Sequence, residues 1–223
     1  MPGLVGIFAS MQHIRGAHFR FLLNEKPFVD SGPQRCTTKE HNGEVTVSEE
    51  NALQHGGYAK FDGIATLEIW KGILTDWRLN SNFVLDGWVR LTSTKTYNTI
   101  VNFGGFNNGL LLRLNSGMYN DDVYINSQEH IIDLRPIFPT HQWVYFAFVR
   151  TGSTVELWTS ENNAAPTRRV LRNVGTSVIN PTNQSPLFGS FTVNQQLVGD
   201  LSDVRLAHPI KTTIDKTTVP VTF

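Results

Sequence analysis

Paired carboxylates are the first chemistry to look for among the 19 acidic residues of this chain. Glycoside hydrolysis needs two of them, about 5–10 Å apart across one sugar-binding cleft. Glu68-Ile69-Trp70 offers one acid without a partner, and Glu49-Glu50 falls beside a turn and reads as a solvated pair. Asp121 and Asp122 are adjacent, so on a strand they point to opposite faces. The histidines, at 13, 18, 41, 55, 130, 141 and 208, are scattered, and no pair sits in the helical HExxH zinc motif. Cys36 is the single cysteine, which excludes an intramolecular disulfide and multi-cysteine zinc. No histidine and orienting partner accompany Cys36 locally, so a reduced structural thiol is expected rather than a nucleophile. These residues lead to the expectation of no enzymatic activity.

Binding leaves softer marks. A sugar site combines an aromatic platform with polar groups that fix hydroxyls. Trp77, in Thr75-Asp76-Trp77-Arg78, is the least strand-like of the five tryptophans and a candidate platform. Asn98, Asn102, Asn107 and Asn108 are turn-compatible polar residues near a candidate rim. Residues 115–122, with Tyr119 and Asp121, form the stretch richest in oxygen donors. Each has a plainer competing reading: core or interface packing for Trp77, turn chemistry for the asparagines, a polar hairpin for residues 115–122. Trp77, Asn107, Asn108, Tyr119 and Asp121 are carried forward as ligand-binding candidates. Calcium would need further oxygen ligands from a second loop, so no metal and no cofactor is expected.

The elements that would position such groups are strands. Apolar residues alternate in 19–23 (Phe19, Phe21, Leu23), at Val45 and Val47, and in 110–114 (Leu110, Leu112, Leu114). In 83–91 one face reads Phe83, Leu85, Gly87, Val89, Leu91. Period two means one face buried and one facing water. Residues 143–149 are apolar on both faces, which predicts a central strand covered on both sides. Residues 198–206 supply a last long strand, and one helical turn is expected near 49–54. Gly and Asn turns such as Asn42-Gly43, Asn107-Asn108-Gly109 and Thr151-Gly152-Ser153 suit tight antiparallel links. Many short strands and no long helical period indicate a sandwich or barrel.

The bulk properties agree. The 223 residues suit one large sandwich, and the balance of 19 basic against 19 acidic residues disfavours non-specific nucleic-acid binding. No stretch reaches the roughly 20 apolar residues of a membrane span. The start lacks a basic export-signal region. Synthesis in a reducing cytoplasm is expected.

In order, the segments resemble the laminin-G-like, concanavalin-A-like jelly roll, in the form found in tailed-bacteriophage structural proteins. The resemblance is carried by Leu22-Leu23 before Phe28-Val29-Asp30-Ser31-Gly32, by Gly43-Glu44-Val45-Thr46, and by Gly57-Tyr58-Ala59-Lys60-Phe61-Asp62-Gly63 running into Leu67-Glu68-Ile69. It continues through Phe83 to Trp88-Val89-Arg90, Trp143 to Ala147-Phe148-Val149-Arg150 with its hairpin partner at 153–158, and Gly199-Asp200-Leu201-Ser202-Asp203-Val204-Arg205. It spans about residues 20–210. It implies an all-β, two-sheet antiparallel jelly-roll sandwich with Phe61, Trp88 and Trp143 in the inter-sheet core, and Val89 and Ala147 buried between or beneath the sheets. Asp203 and Arg205 are expected to be structural. Glucanases of this broad fold carry a "glu-x-asp-x-x-glu" strand, which is absent here.

The resemblance implies a non-enzymatic virion protein of a tail, baseplate, fibre or capsid surface, with an adhesive role toward a host-surface glycan; a stand-alone lectin module is the alternative, and a glycoside hydrolase a distant one. Other virion proteins and further copies of the chain are the expected partners, with no nucleic acid and no membrane span. Residues 18–223 form the sandwich. Residues 1–17, apolar at Leu4, Val5, Ile7, Phe8 and Met11 but without strand period, form an expected assembly arm; the rival is an edge strand of its own sandwich.

Overall fold

The computed structural model describes residues 17–32, 35–53, 56–70, 78–93, 98–104, 109–114, 121–126, 128–132, 139–161, 164–179, 185–190 and 196–209. Among them are fifteen strands and no helix. They are β1 (Ala17–Phe21), β2 (Thr37–His41), β3 (Thr46–Ser48), β4 (Tyr58–Asp62), β5 (Thr66–Trp70), β6 (Phe83–Leu91), β7 (Asn98–Phe103) and β8 (Leu110–Leu114). There follow β9 (Asp121–Ile125), β10 (Gln128–Ile132), β11 (Trp143–Thr151), β12 (Thr154–Glu161), β13 (Thr167–Asn173), β14 (Leu187–Phe188) and β15 (Val198–His208).

Two sheets stack as a jelly-roll sandwich. The first runs β13-β12-β11-β6-β15-β4-β3, with β1 also on β15. The second runs β10-β9-β8-β7-β14-β5-β2. All ladders between these strands are antiparallel. β15 takes β4 at Val198–Leu201 through residues 59–62 and β1 at Val204–His208, so β1 and β4 lie end to end along it. The first strand thus begins at Ala17, which pairs with His208. Residues 1–16 of the expected arm lie outside the described residues.

Strand parity builds the core. Phe83, Leu85, Val89 and Leu91 of β6 meet Leu67 and Ile69 of β5, Val101 and Phe103 of β7, and Leu110 and Leu112 of β8 in one cluster between the sheets. Each fully buried Phe, Leu or Ile side chain contributes about 1.5–3 kcal/mol. Gly87 also points inward, where a Cβ would meet Phe146 and Val204 at 3.2 Å. β11 is buried from Val144 to Arg150, between β6 and β12, as its two-faced apolar sequence predicts.

Trp88 and Trp143, expected in the inter-sheet core, sit elsewhere, while Ala147 is buried beneath the first sheet. Phe61 and Val89 lie between the sheets, but Trp88, Trp143 and Ala147 belong to a second cluster on the outer face of the first sheet. With Val89 facing in, Trp88 and Arg90 must face out. Trp88 is buried there with Val84, Tyr145, Val149 and Ala207, while Trp143 is only partly buried.

Two polar expectations also change. Asn98 and Asn102 are buried, not on a rim, and Asn98 Oδ1 accepts from the Val198 amide at 2.8 Å. The expected turn near 49–54 appears as tight turns, with Ala52 N donating to Glu49 O at 3.2 Å and Gly56 N to Leu53 O at 3.1 Å.

Candidate functional site

The registers arrange the outer face of the first sheet in cross-strand rows. One row is Trp143 on β11, Arg90 on β6, Asp200 on β15, Lys60 on β4 and Thr46 on β3. The next contains Tyr145, Trp88 and Ser202, with Tyr58 opposite Ser48. Beyond it come Ala147, Asp86, Arg205 and Arg20. Polar and aromatic side chains meet on this face because hydrophobic residues occupy the alternate, inward positions.

Arg90, Asp200 and Lys60 of the first row line a cleft of about 240 Å³ together with Glu50, Asn51, Tyr58, Thr92 and His141. Arg90 is its most tightly held member. Its Nε donates to Asp200 Oδ2 at 2.8 Å and its Nη1 to the Asn51 carbonyl at 3.0 Å. Its guanidinium lies 4.5 Å from the Tyr58 ring centre and 4.8 Å from that of Trp143. Such stacking on aromatic faces attracts the cation through the ring quadrupole. The two rings meet edge to face at 5.4 Å.

Residues 49–53, a strap that follows β3, contribute Glu50 and Asn51 to the cleft lining. The Asn51 carbonyl accepts from both Arg90 Nη1 and Trp143 Nε1, the latter at 3.0 Å. The Tyr58 hydroxyl donates to the Glu50 carbonyl at 2.9 Å. Asn51 has φ 54°, a left-handed conformation that Asn tolerates better than most residues. Leu53 packs on the outer apolar cluster and anchors the strap.

Asp200 is 1% exposed, and burial raises its pKa, opposed chiefly by the Arg90 hydrogen bond and then by Lys60 and His141. Lys60, Thr92 and His141 are exposed on the cleft's open side, and their side chains make no hydrogen bond or ion pair with the described residues. His141 is held in place by its backbone, whose amide donates to Leu91 O at 2.7 Å. The cleft therefore offers donors at Lys60 and His141, a hydroxyl at Thr92, and acceptors at Asp200 and Glu50.

A buried ionic network lies two rows away. Arg205 grips Asp86 with Nε to Oδ1 at 2.9 Å and Nη2 to Oδ2 at 2.7 Å, and the Tyr145 hydroxyl donates to Asp86 Oδ2 at 2.6 Å. Asp203 sits between two arginines: Arg20 Nε donates to its Oδ1 at 2.8 Å, and Arg205 Nη1 lies 3.6 Å from Oδ2. Asp203 reaches both because β15 bulges between Ser202 and Arg205, with Asp203 at φ 45°. Asp203 and Arg205 are thus structural, as expected. Burial raises the pKa of Asp86 and of Tyr145, while Asp86 and Asp203 raise that of Arg205.

The sequence candidates fall away from the cleft. Trp77, Asn107, Asn108 and Tyr119 lie outside the described residues, as do Leu4, Val5, Ile7, Phe8 and Met11. Asp121 opens β9, which pairs antiparallel with β8 in the second sheet. Glu68 lies on the second sheet, where His41 Nε2 is 2.6 Å from its Oε2. No group of three His, Cys, Asp or Glu side chains fit to hold a metal ion occurs among the described residues. Sequence reasoning missed Lys60, Arg90, Thr92, His141 and Asp200. Four of them stand on or directly beside strands of the motif set, but their meeting depends on register.

No family model and no curated protein matches the chain. Among solved structures it is similar to domain 4 of AbnA, a GH43 extracellular arabinanase from Geobacillus stearothermophilus, determined in complex with arabinotriose. The identity is 15%, the match covers 91% of this chain and 93% of that one, and the TM-score is 0.62. It is also similar to the binding domain of Paraclostridial Mosquitocidal Protein 1, at 10% identity over 90% of this chain and 49% of that one, with a TM-score of 0.62. The binding domain of botulinum neurotoxin DC, in complex with rat synaptotagmin II, gives 10% identity, 89% and 48% coverage and a TM-score of 0.57. The chain spans about half the length of these last two. At such identities the likeness shows the fold alone, a jelly-roll β-sandwich.

Proposed function

We propose that the chain is a non-catalytic glycan-binding module, borne on the virion of a tailed bacteriophage and used for adhesion to a host surface. The observation that carries the glycan reading is the cleft above Arg90 and Asp200. Tyr58 and the buried Arg90–Asp200 pair line it, and Lys60, Thr92 and His141 are exposed in it with no side-chain hydrogen bond to the described residues. Pre-organised polar groups beside an aromatic wall suit a saccharide, whose hydroxyls both donate and accept. The fold is in keeping, since the arabinanase domain was solved with arabinotriose bound.

The virion setting rests on the ordered motifs that resemble tailed-phage structural proteins; the three neighbours named above are not virion proteins. In that setting the chain is made in the host cytoplasm, and its partners are other virion proteins and further copies of itself through residues 1–16. The non-catalytic reading is supported by the chemistry of the cleft. Its two carboxylates are Asp200, held by Arg90, and the exposed Glu50, and neither is set up as a general acid beside a free base.

A glycan array followed by NMR titration tests the reading. Bound saccharide shifts the amide signals of Lys60, Thr92 and His141. If no saccharide on the array binds at millimolar concentration, the glycan reading fails. Incubation with polysaccharides releases no reducing ends; release that Asp200→Asn abolishes overturns the non-catalytic assignment.

A further inference from the structure

Resting on that glycan reading, we infer that the cleft takes a neutral sugar unit through adjacent hydroxyls, with Asp200 as the acceptor and Lys60 and His141 as the donors. Asp200, in the cleft lining, takes the Arg90 guanidinium on Oδ2, and no other side-chain hydrogen bond from the described residues reaches its carboxylate, which keeps spare acceptor capacity. A buried carboxylate oxygen is costly unless a donor reaches it. A hydroxyl of a bound sugar supplies that donor.

Charge decides between a neutral and an acidic sugar. The Arg90 charge is already committed: Asp200 binds Nε, the Asn51 carbonyl binds Nη1, and the Tyr58 and Trp143 ring centres lie 4.5 and 4.8 Å from the guanidinium. It has no free fork for a ligand carboxylate, which the strongest carboxylate sites require. Of the remaining groups lining the cleft, the Lys60 cation is balanced in number by the Glu50 anion. The cleft therefore carries no cationic surplus to offset the desolvation of an acid. Its volume of about 240 Å³ falls below the roughly 300–1,000 Å³ of drug-sized sites, so it seats a single ring. Longer glycans would extend from it over Thr92 and the strap.

The test is isothermal titration with arabinotriose and maltotriose as neutral probes and trigalacturonate as the acidic one. A neutral probe binds, and its affinity is unchanged between about 50 and about 500 mM salt, because no ligand charge is screened. Asp200→Asn keeps an oxygen for Arg90 Nε but turns an N–H toward the ligand. It weakens binding at least about tenfold, the scale of one hydrogen bond to a charged group. Lys60→Met and His141→Ala, both exposed, weaken it several-fold with an unchanged unfolding midpoint, which keeps the test sound if Asp200→Asn fails to fold. Trigalacturonate binding more tightly than the neutral probes, with affinity falling steeply in salt, overturns the neutral-sugar inference and leaves the glycan reading standing. Neutral-sugar binding that all three variants leave untouched also overturns it. If neither these probes nor any saccharide on the array binds, both readings fail.

Discussion

Arg20 and Arg205 stand opposite one another on β1 and β15, and like charges so placed repel. Two carboxylates resolve the conflict: Asp203 beneath Arg20, and Asp86 gripped by Arg205 and Tyr145. Removing one partner leaves the other buried and uncompensated. Asp86→Ala is therefore expected to cost about 3–5 kcal/mol in urea unfolding, and Tyr145→Phe about 1.5–3 kcal/mol as one hydrogen bond to a charged group. A loss below 1 kcal/mol for Asp86→Ala, on that same scale, would show that the network is not buried as described. Cys36 gives a second test. Burial, with Asp30 nearby, pushes its thiol pKa up to about 12. The thiolate is the reactive form, so the native protein is expected to resist a thiol reagent at pH 8 and react on unfolding. Rapid labelling of the native protein would contradict this environment.

The strands that carry the cleft depend on close backbone approach. A Cβ at Gly199 would sit 2.5 Å from the Arg90 carbonyl oxygen, at the β15–β6 ladder and next to Asp200. Gly199→Ala is expected to cost about 1–3 kcal/mol through overpacking and to weaken ligand binding by displacing Asp200. Normal stability with normal binding would be the opposing result. The strap makes its own demand at Asn51, where φ is 54°. Asn51→Gly keeps that conformation freely, whereas Asn51→Val strains it by about 1–2 kcal/mol. Thermal unfolding is expected to rank valine well below glycine.

The whole molecule presents two faces with different duties. The sheets bury one shared core, while the outer face of the first sheet gathers a second apolar cluster, the ionic network and the cleft. β1 joins the sandwich from Ala17 onward and is tied in by Arg20. Deleting residues 1–16 is therefore expected to leave the urea midpoint of the monomer unchanged while abolishing assembly, measured by sedimentation. A drop in stability of the isolated monomer would place that segment in its own sandwich.

The fold was largely legible because alternation is a local property. Phe83, Leu85, Val89 and Leu91 announce an inward face by themselves, and residues 143–149, apolar at every position, announce a strand buried on both sides. That same parity places Trp88 outward; size and aromaticity pulled it wrongly toward the inter-sheet core, because nothing local reveals that a sheet's second face is also buried. The cleft was not legible. Lys60, Arg90, His141 and Asp200 are far apart in sequence, and each alone is an ordinary strand or turn residue. Only the register of β4 on β15 and of β15 on β6 aligns Lys60, Asp200 and Arg90, and the His141 amide bond to Leu91 O brings in the fourth. A shift of one residue in any ladder would send its members to the other face. Period two in the chain determined which residues face the core; the pairing of strands distant in sequence decided which polar residues meet.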